Sequence, residues 1–207
     1  MAQDEKILEY MRSFIKSNIE TADQIADSND RRNDVQPSVE PETGRFLEFM
    51  IRLTDAKRVL ELGTSNGYSG LWMLKALEST GGNLVTIDSK ERLHLEAVDN
   101  FREAGFGNVD AIYGDAAEQV ANLEPGFDLI FQDCGKYLYP ELFEATVSLL
   151  RRGGVIIADD TLFSVNNSVR SNLGRYTDQY NHLAFNSSKL LTSILPVGHG
   201  ITMSFKL

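Results

Sequence analysis

Residues Arg58–Gly70 read RVLELGTSNGYSG, and the rest of the chain takes its meaning from them. Val59, Leu60 and Leu62 form a short apolar run suited to a strand buried on both faces. Gly63 and Gly67 follow, separated by Thr64, Ser65 and Asn66, and a helical pattern opens at Tyr68. Strand, glycine turn and helix are the parts of a ligand pocket at the carboxyl end of a parallel strand. The spacing is G-x-x-x-G, however, and not the G-x-G-x-x-G that lets a backbone approach a pyrophosphate. Glu61 also puts a carboxylate inside the strand end, which suits a ligand with cationic or donor groups better than a phosphate. A tight strand-to-helix turn with no ligand is the plain alternative for this stretch alone.

Outward from the turn, strands alternate with helices. Strands are expected at Arg58–Leu62, Leu84–Asp88, Val109–Tyr113, Phe127–Gln132 and Gly154–Ala158. Helices are expected at Tyr68–Glu78, Glu91–Ala104, Ala116–Leu123 and Tyr139–Leu150. Such alternation implies right-handed crossovers and a mostly parallel sheet with helices on both faces. After Asp160 the pattern changes to a polar helix over Asn167–His182, then two β-rich runs, Lys189–Leu195 and Gly200–Lys206, around a short turn. Strands joined so closely must run antiparallel to each other. Upstream, Ile7, Leu8, Met11, Phe14, Ile15 and Ile19 recur at helical spacing, so the first 20 residues read as one amphipathic helix. Polar Ala22–Glu40 reads as a long loop, and Glu42–Leu53 as a helix. One domain over 1–207 is expected, with 1–40 as a lid or dimer element and 41–207 as the core.

The totals narrow the partners. Thirty acids against 20 bases give a formal net charge of -10, which argues against a general nucleic-acid surface. A small-molecule partner is expected instead. Cys134 is the single cysteine, so no intrachain disulfide framework exists and a reducing, cytoplasmic setting fits. No apolar run approaches the roughly 18 residues of a membrane span, and the acidic MAQDEKILEY start does not read as a signal peptide.

Open α/β sheets bind ligands beyond the carboxyl ends of their strands. Those ends carry Glu61 and Gly63, then Asp88, then Gly114 and Asp115, then Asp133, then Asp159 and Asp160. Each has an acid. Asp88, at the end of the second strand, stands where a carboxylate takes ribose hydroxyls. Gly114, Asp115 and Ala116 would border an adenine, although Asp115 also suits a plain helix N-cap. Asp133, Asp159 and Asp160 would repel one another unless a cation held them, and oxygen-only ligands favour Mg²⁺ or Ca²⁺ over zinc. Neighbours on a regular strand point to opposite faces, so Asp159 and Asp160 can share an ion only if the strand has ended. Lys136, three residues past Asp133, faces the same region; beside a metal its pKa should fall, which fits a general base.

The chain resembles the cation-dependent O-methyltransferases, the group of catechol and caffeoyl-CoA O-methyltransferases and their bacterial relatives. The likeness runs from about Gln36 to Leu207 and is carried by SVEPETGRFL at Ser38–Leu47, ELGTSNGYS at Glu61–Ser69, FQDCGKYLY at Phe131–Tyr139, IIADDTLF at Ile156–Phe163 and PVGHG at Pro196–Gly200. The resemblance implies a Rossmann-like class I methyltransferase fold, with a seven-stranded, mostly parallel sheet ending in an antiparallel pair. It also implies S-adenosylmethionine (SAM) held by Val39, Glu61, Gly63, Thr64, Ser65, Tyr68, Ser69, Asp88, Gly114, Asp115, Ala116 and Asp133. A divalent cation, Mg²⁺ before Ca²⁺ or Mn²⁺, would sit on Asp133, Asp159 and Asp160. It would chelate a phenolic diol, with Lys136 as the base. Phe163, Tyr176 and the Ala22–Glu40 loop would roof the acceptor, and a homodimer is expected.

Three places depart from the family's usual pattern, the first being the stretch before Asp133 together with Gly135, which is looser than the common D-A-D-K. Asp160 stands where A-D-N-x-L-[WF] has Asn, and His199 stands where P-x-G-D-G has Asp. Three other readings stay open: a metal-independent SAM methyltransferase on another O or N acceptor, a SAM-binding protein without catalysis, and a dinucleotide oxidoreductase. The missing third glycine and the antiparallel tail speak against the last.

Overall fold

The computed structural model describes residues 2–29, 31–166 and 170–207. Strand β1 (Arg58–Leu62) lies at the centre of the sheet and runs parallel to both its neighbours, β2 (Asn83–Asp88) and β4 (Phe127–Gln132). Beyond β2 lies β3 (Val109–Tyr113), and beyond β4 lies β5 (Leu150–Ala158), both parallel. The last two strands, β6 (Leu190–Leu195) and β7 (Ile201–Lys206), are antiparallel to each other, and β7 also runs antiparallel to β5. The order is β3-β2-β1-β4-β5-β7-β6. This is the class I methyltransferase arrangement expected from the sequence.

The alternation of side chains along the strands builds two cores. Val59, Leu129, Phe131 and Ile157 face one side and pack with Leu47 and Ile51 of α3 (Pro41–Leu53) and with Leu71, Trp72 and Leu74 of α4 (Tyr68–Thr80). Leu60, Leu62, Ile130 and Ile156 face the other, against Val120 of α6 (Ala116–Val120), Leu142 and Phe143 of α7 (Leu138–Leu149) and Tyr180 of α8 (Ser171–Asn186). Successive strand residues point to opposite faces, so a strand buried on both sides must be apolar throughout. Glu61 is the exception in β1, and it is fully buried. The remaining helix, α5 (Glu91–Glu103), buries Leu93, Ala97 and Phe101. Phe101 lies so close to Gly67 and Gly70 that a methyl on either glycine would strike its ring.

The amino-terminal third differs from expectation. The helical pattern of the first 20 residues is cut: α1 spans Ala2–Arg12, and a second helix, α2, spans Glu20–Asn29, inside the expected loop. Between them Ser17 Oγ accepts the Ile19 N–H at 3.1 Å and donates to Asp23 at 2.6 Å. Asn18 adopts φ +53°, outside the helical range, and α2 opens only at Glu20. Ile19, Ala22 and Ile25 belong to the core, whereas Ile7, Leu8, Met11 and Phe14 stay exposed in the single chain. A bidentate ion pair from Arg12 to Glu42 ties α1 to α3. In α8 the expected start, Asn167, lies outside the described residues, and the helix runs on to Asn186. Gly174 lets α8 approach the 3₁₀ turn at Phe163–Val165, where a Cβ would meet the Phe163 carbonyl. Among the described residues, no helix is long and apolar enough to cross a membrane.

Gly63 joins β1 to the turn with φ +101°, and a methyl there would run into the main-chain carbonyl of Asp133. Left-handed strain costs about 1–3 kcal/mol, and the collision adds to it. Gly63→Ala should therefore lower stability by at least about 2 kcal/mol, read as the shift in the urea midpoint at constant slope.

Candidate active site

The sheet order reverses between β1 and β4, and the strand-end residues meet around that switch point. Glu61 lies one residue before the strand ends and accepts hydrogen bonds from Ser69 Oγ and, at 2.6 Å, from Thr86 Oγ1. Thr64 Oγ1 in turn contacts Thr86 Oγ1. Among the described residues no cation pairs with Glu61, and burial pushes its pKa up to about 8 against the two hydrogen bonds. The turn itself is shaped by left-handed residues, Ser65 at φ +48° and Gly67 at φ +92°. That shape aims the Ser65 N–H at Asp88, which accepts it at 2.7 Å and the Lys90 N–H at 2.8 Å. The Ser65 hydroxyl is buried without a partner among the described residues.

Tyr68 and Val39 are buried in the same core as α3 and α4, and Tyr68 meets the Trp72 ring edge-on at 6.5 Å. Asp115 caps α6 by accepting the Ala117 N–H at 2.8 Å. Its neighbours Gly114 and Ala116 flank that cap, with Ala116 buried. The plain reading of Asp115 as an N-cap is thus realised, and one of its oxygens is engaged there.

On the β4–β5 side the acids converge. Asp133 N donates to the Leu62 carbonyl at 2.9 Å and Asp159 N to the Gln132 carbonyl at 3.1 Å, which extends the ladder one step past each strand. Strand β5 has ended at Ala158, and Asp160 adopts φ +61°, so the alternation of a regular strand no longer separates Asp159 from Asp160. The Lys136 ammonium stands between two of the acids, 2.8 Å from Asp133 Oδ1 and 2.7 Å from Asp160 Oδ2. It also donates to Tyr139 OH at 2.9 Å, whose own hydroxyl donates to the Gln132 carbonyl at 2.7 Å. His199 Nδ1 lies 3.3 Å from Asp160 Oδ1 and 3.1 Å from Glu40 Oε1. The Phe163 ring flanks both cations, 5.8 Å from Lys136 Nζ and 5.7 Å from the His199 ring.

Charges settle accordingly. Burial pulls the Lys136 pKa down, but Asp133, Tyr139 and Asp160 outweigh it and hold the group well above an ordinary lysine. The fall expected from the sequence is that of a lysine beside a bound metal ion; with the carboxylates alone as neighbours the group is raised. Burial raises Asp160, yet the bond to His199 and the charge of Lys136 outweigh that and bring it below the ordinary value. Asp159 is pushed well up, first by burial and then by Asp133 and Asp160. His199 is raised to about 9, chiefly by its bond to Asp160.

Among the described residues, no group of three acids, histidines or cysteines is arranged to hold a metal ion. The donor chemistry of Asp133, Asp159 and Asp160 fits a hard divalent ion. As they stand, two of the three are turned to an ammonium instead. Sequence reasoning missed Tyr139, Glu40 and the pairing of His199. The first was hidden inside an apolar helix start, and the other two are 159 residues apart in the chain and meet only in the fold.

These features belong to a recognised class. The O-methyltransferase family profile matches residues 16–207, and the chain is a member of that family. A catechol O-methyltransferase of Niastella koreensis is 38% identical over 130 residues, 60% of this chain and 58% of that protein. The match to such curated relatives thus spans somewhat more than half of their length. Two solved structures resemble the whole fold. TomG of Streptomyces achromogenes, an O-methyltransferase of tomaymycin synthesis in complex with SAM, is 26% identical at a TM-score of 0.85, over 100% of this chain and 99% of its own. An O-methyltransferase from Bacillus cereus in complex with S-adenosylhomocysteine is 26% identical at 0.80, over 96% of each chain.

Glu61 gives the turn a pH signature. Its proton is held more tightly in the folded protein than in the unfolded chain, so the ligand-free protein should lose stability as pH rises from about 4.5 to about 8. Glu61→Gln should flatten the curve across that window. Chemical unfolding of both proteins at several pH values between 4 and 9 provides the check, and parallel curves would contradict the assignment.

Proposed function

We propose that this protein moves the methyl group of SAM to one hydroxyl of a small vicinal phenolic diol, with a divalent cation at the acids of β4 and β5. The carrying observation is a buried lysine held between Asp133 and Asp160 beside a turn whose central carboxylate, Glu61, lacks a cationic partner among the described residues. The catechol O-methyltransferase likeness supports the acceptor class, and the SAM and S-adenosylhomocysteine complexes of the structural relatives support the donor.

In this reading Glu61 takes the donor's ammonium, Asp88 its ribose hydroxyls, and Gly114 with Ala116 its adenine edge. The orphaned Ser65 hydroxyl is a further polar contact for the same ligand. When bound, SAM supplies an electrophilic sulfonium methyl, and a divalent ion on Asp133, Asp159 and Asp160 supplies a lowered pKa for the acceptor hydroxyl. Lys136 Nζ receives the hydroxyl proton, so it must reach the active site as a free amine against the pull of its two carboxylates. Phe163 offers an apolar wall to an aromatic acceptor. No covalent intermediate with the protein is needed, and most of the acceleration comes from holding oxygen and methyl in line.

A second reading has one observation in its favour. The Lys136 ammonium already bridges Asp133 and Asp160, which would let a metal-independent transfer proceed with Lys136 and His199 as the counter-charges. A screen of vicinal phenolic diols with labelled SAM, with Mg²⁺ and with EDTA, separates the two. The first reading expects loss of turnover in EDTA, and full turnover there establishes the second. In the same assay Lys136→Met should lower kcat by about 10²–10⁴-fold, while the Kd for SAM, measured calorimetrically, holds. Undiminished turnover would remove Lys136 as base. The exposed apolar residues of α1 fit contact with a second copy of the chain; a monomer in sedimentation at micromolar concentration would dismiss the proposed homodimer.

A further inference from the structure

Two titratable side chains from distant segments meet beside Lys136. His199 Nδ1 is 3.3 Å from Asp160 Oδ1, and it is also 3.1 Å from Glu40, the residue that precedes α3. Five ionisable groups then stand in a row across the site: Glu40, His199, Asp160, Lys136 and Asp133.

Asp160 needs such a partner. It is a non-glycine residue at φ +61°, a conformation that persists when its surroundings hold it. Lys136 grips Oδ2 and leaves Oδ1 to His199. The turn that carries His199 is itself fixed by main-chain bonds, which do not use the imidazole. Leu162 N donates to the His199 carbonyl at 3.2 Å, Thr161 N to the Gly200 carbonyl at 2.9 Å, and Gly200 N to the Val197 carbonyl at 2.8 Å. Gly198, at φ +54°, packs so closely on Glu40 that a Cβ would sit 2.8 Å from Oε2. The imidazole is therefore an addition to a turn already in place.

We propose that His199 is a positioning residue for methyl transfer: its Nδ1 stands between Asp160 and Glu40 and so sets the orientation of the acceptor-side carboxylates. The proposal rests on the acceptor site lying at Asp160, as argued above. His199 touches neither the donor turn nor its glycines, so SAM binding serves as the control. A carboxylate at 199 facing Asp160 and Glu40 would repel both, and an amide at 160 would relieve it.

The test is a double-mutant cycle on the full chain with His199→Asp, Asp160→Asn and the double variant, accompanied by His199→Ala and His199→Asn. Two readouts are taken: thermal unfolding midpoints, and kcat and KM for methylation of 1,2-dihydroxybenzene by SAM. His199→Ala should lower kcat/KM for the diol about tenfold, with the KM for SAM unchanged. His199→Asn, which keeps an N–H donor near the place of Nδ1, should recover most of that loss. His199→Asp should be the poorest single variant, and adding Asp160→Asn to it should restore activity by about tenfold or more. Additive effects at 160 and 199 in both readouts, or a His199→Ala protein with unchanged kcat and KM, would overturn the proposal. If the unsubstituted protein fails to methylate the diol, the acceptor reading falls instead, and the unfolding cycle alone decides the clamp, additivity again overturning it.

Discussion

Carboxylates gathered at one edge of a sheet repel, and the placement of positive charge among them governs the rest of this site. Two unit charges about 4 Å apart near a protein surface interact by about 4 kcal/mol, so Asp133 and Asp160 could not stay ionised side by side without help. Lys136 lies between them and His199 closes the outer flank. Asp159, with no comparable partner, is driven toward its neutral form. Asp133 is raised as well, by burial first and against the pull of Lys136, so burial and cation contact together rank the acids.

Glu61 obeys the same rule by another route. Its neighbours are the hydroxyls of Ser69 and Thr86, which ease the burial of a carboxylate without cancelling it. A buried carboxyl group whose pKa is raised in this way is returned to the charged form by a cationic partner. The turn around it depends on glycine, because the main chain of Asp133 passes where a side chain on Gly63 would go. The glycine turn and the acids of β4 and β5 are therefore joined by close main-chain approach between β1 and β4.

The amino-terminal third adds a second layer. Asn29, at the end of α2, exchanges amide hydrogen bonds with Asn66 of the glycine turn at 2.7 and 3.2 Å, and Asn100 of α5 donates to the Asn66 carbonyl at 2.9 Å. The stretch that reads as an open loop is in fact anchored to the glycine turn. Asn29 is buried and bonds inward while Asp23, Gln24 and Asp27 on the same helix are exposed, a distinction that a hydropathy pattern cannot make.

The local sequence determined the parallel sheet, its antiparallel end, the glycine turn and the row of acids at the strand ends. Each of these follows from periodicity, from glycine spacing or from the position of an acid after an apolar run, all properties of neighbours along the chain. The tertiary structure alone decided which acid faces which cation. Lys136 is held up first by Asp133 and Tyr139, its neighbours in the chain, and the fold adds Asp160, 24 positions away. Glu40, His199 and Asp160 lie on three separate segments, and electrostatic pairing depends on distance through space, which no local pattern encodes.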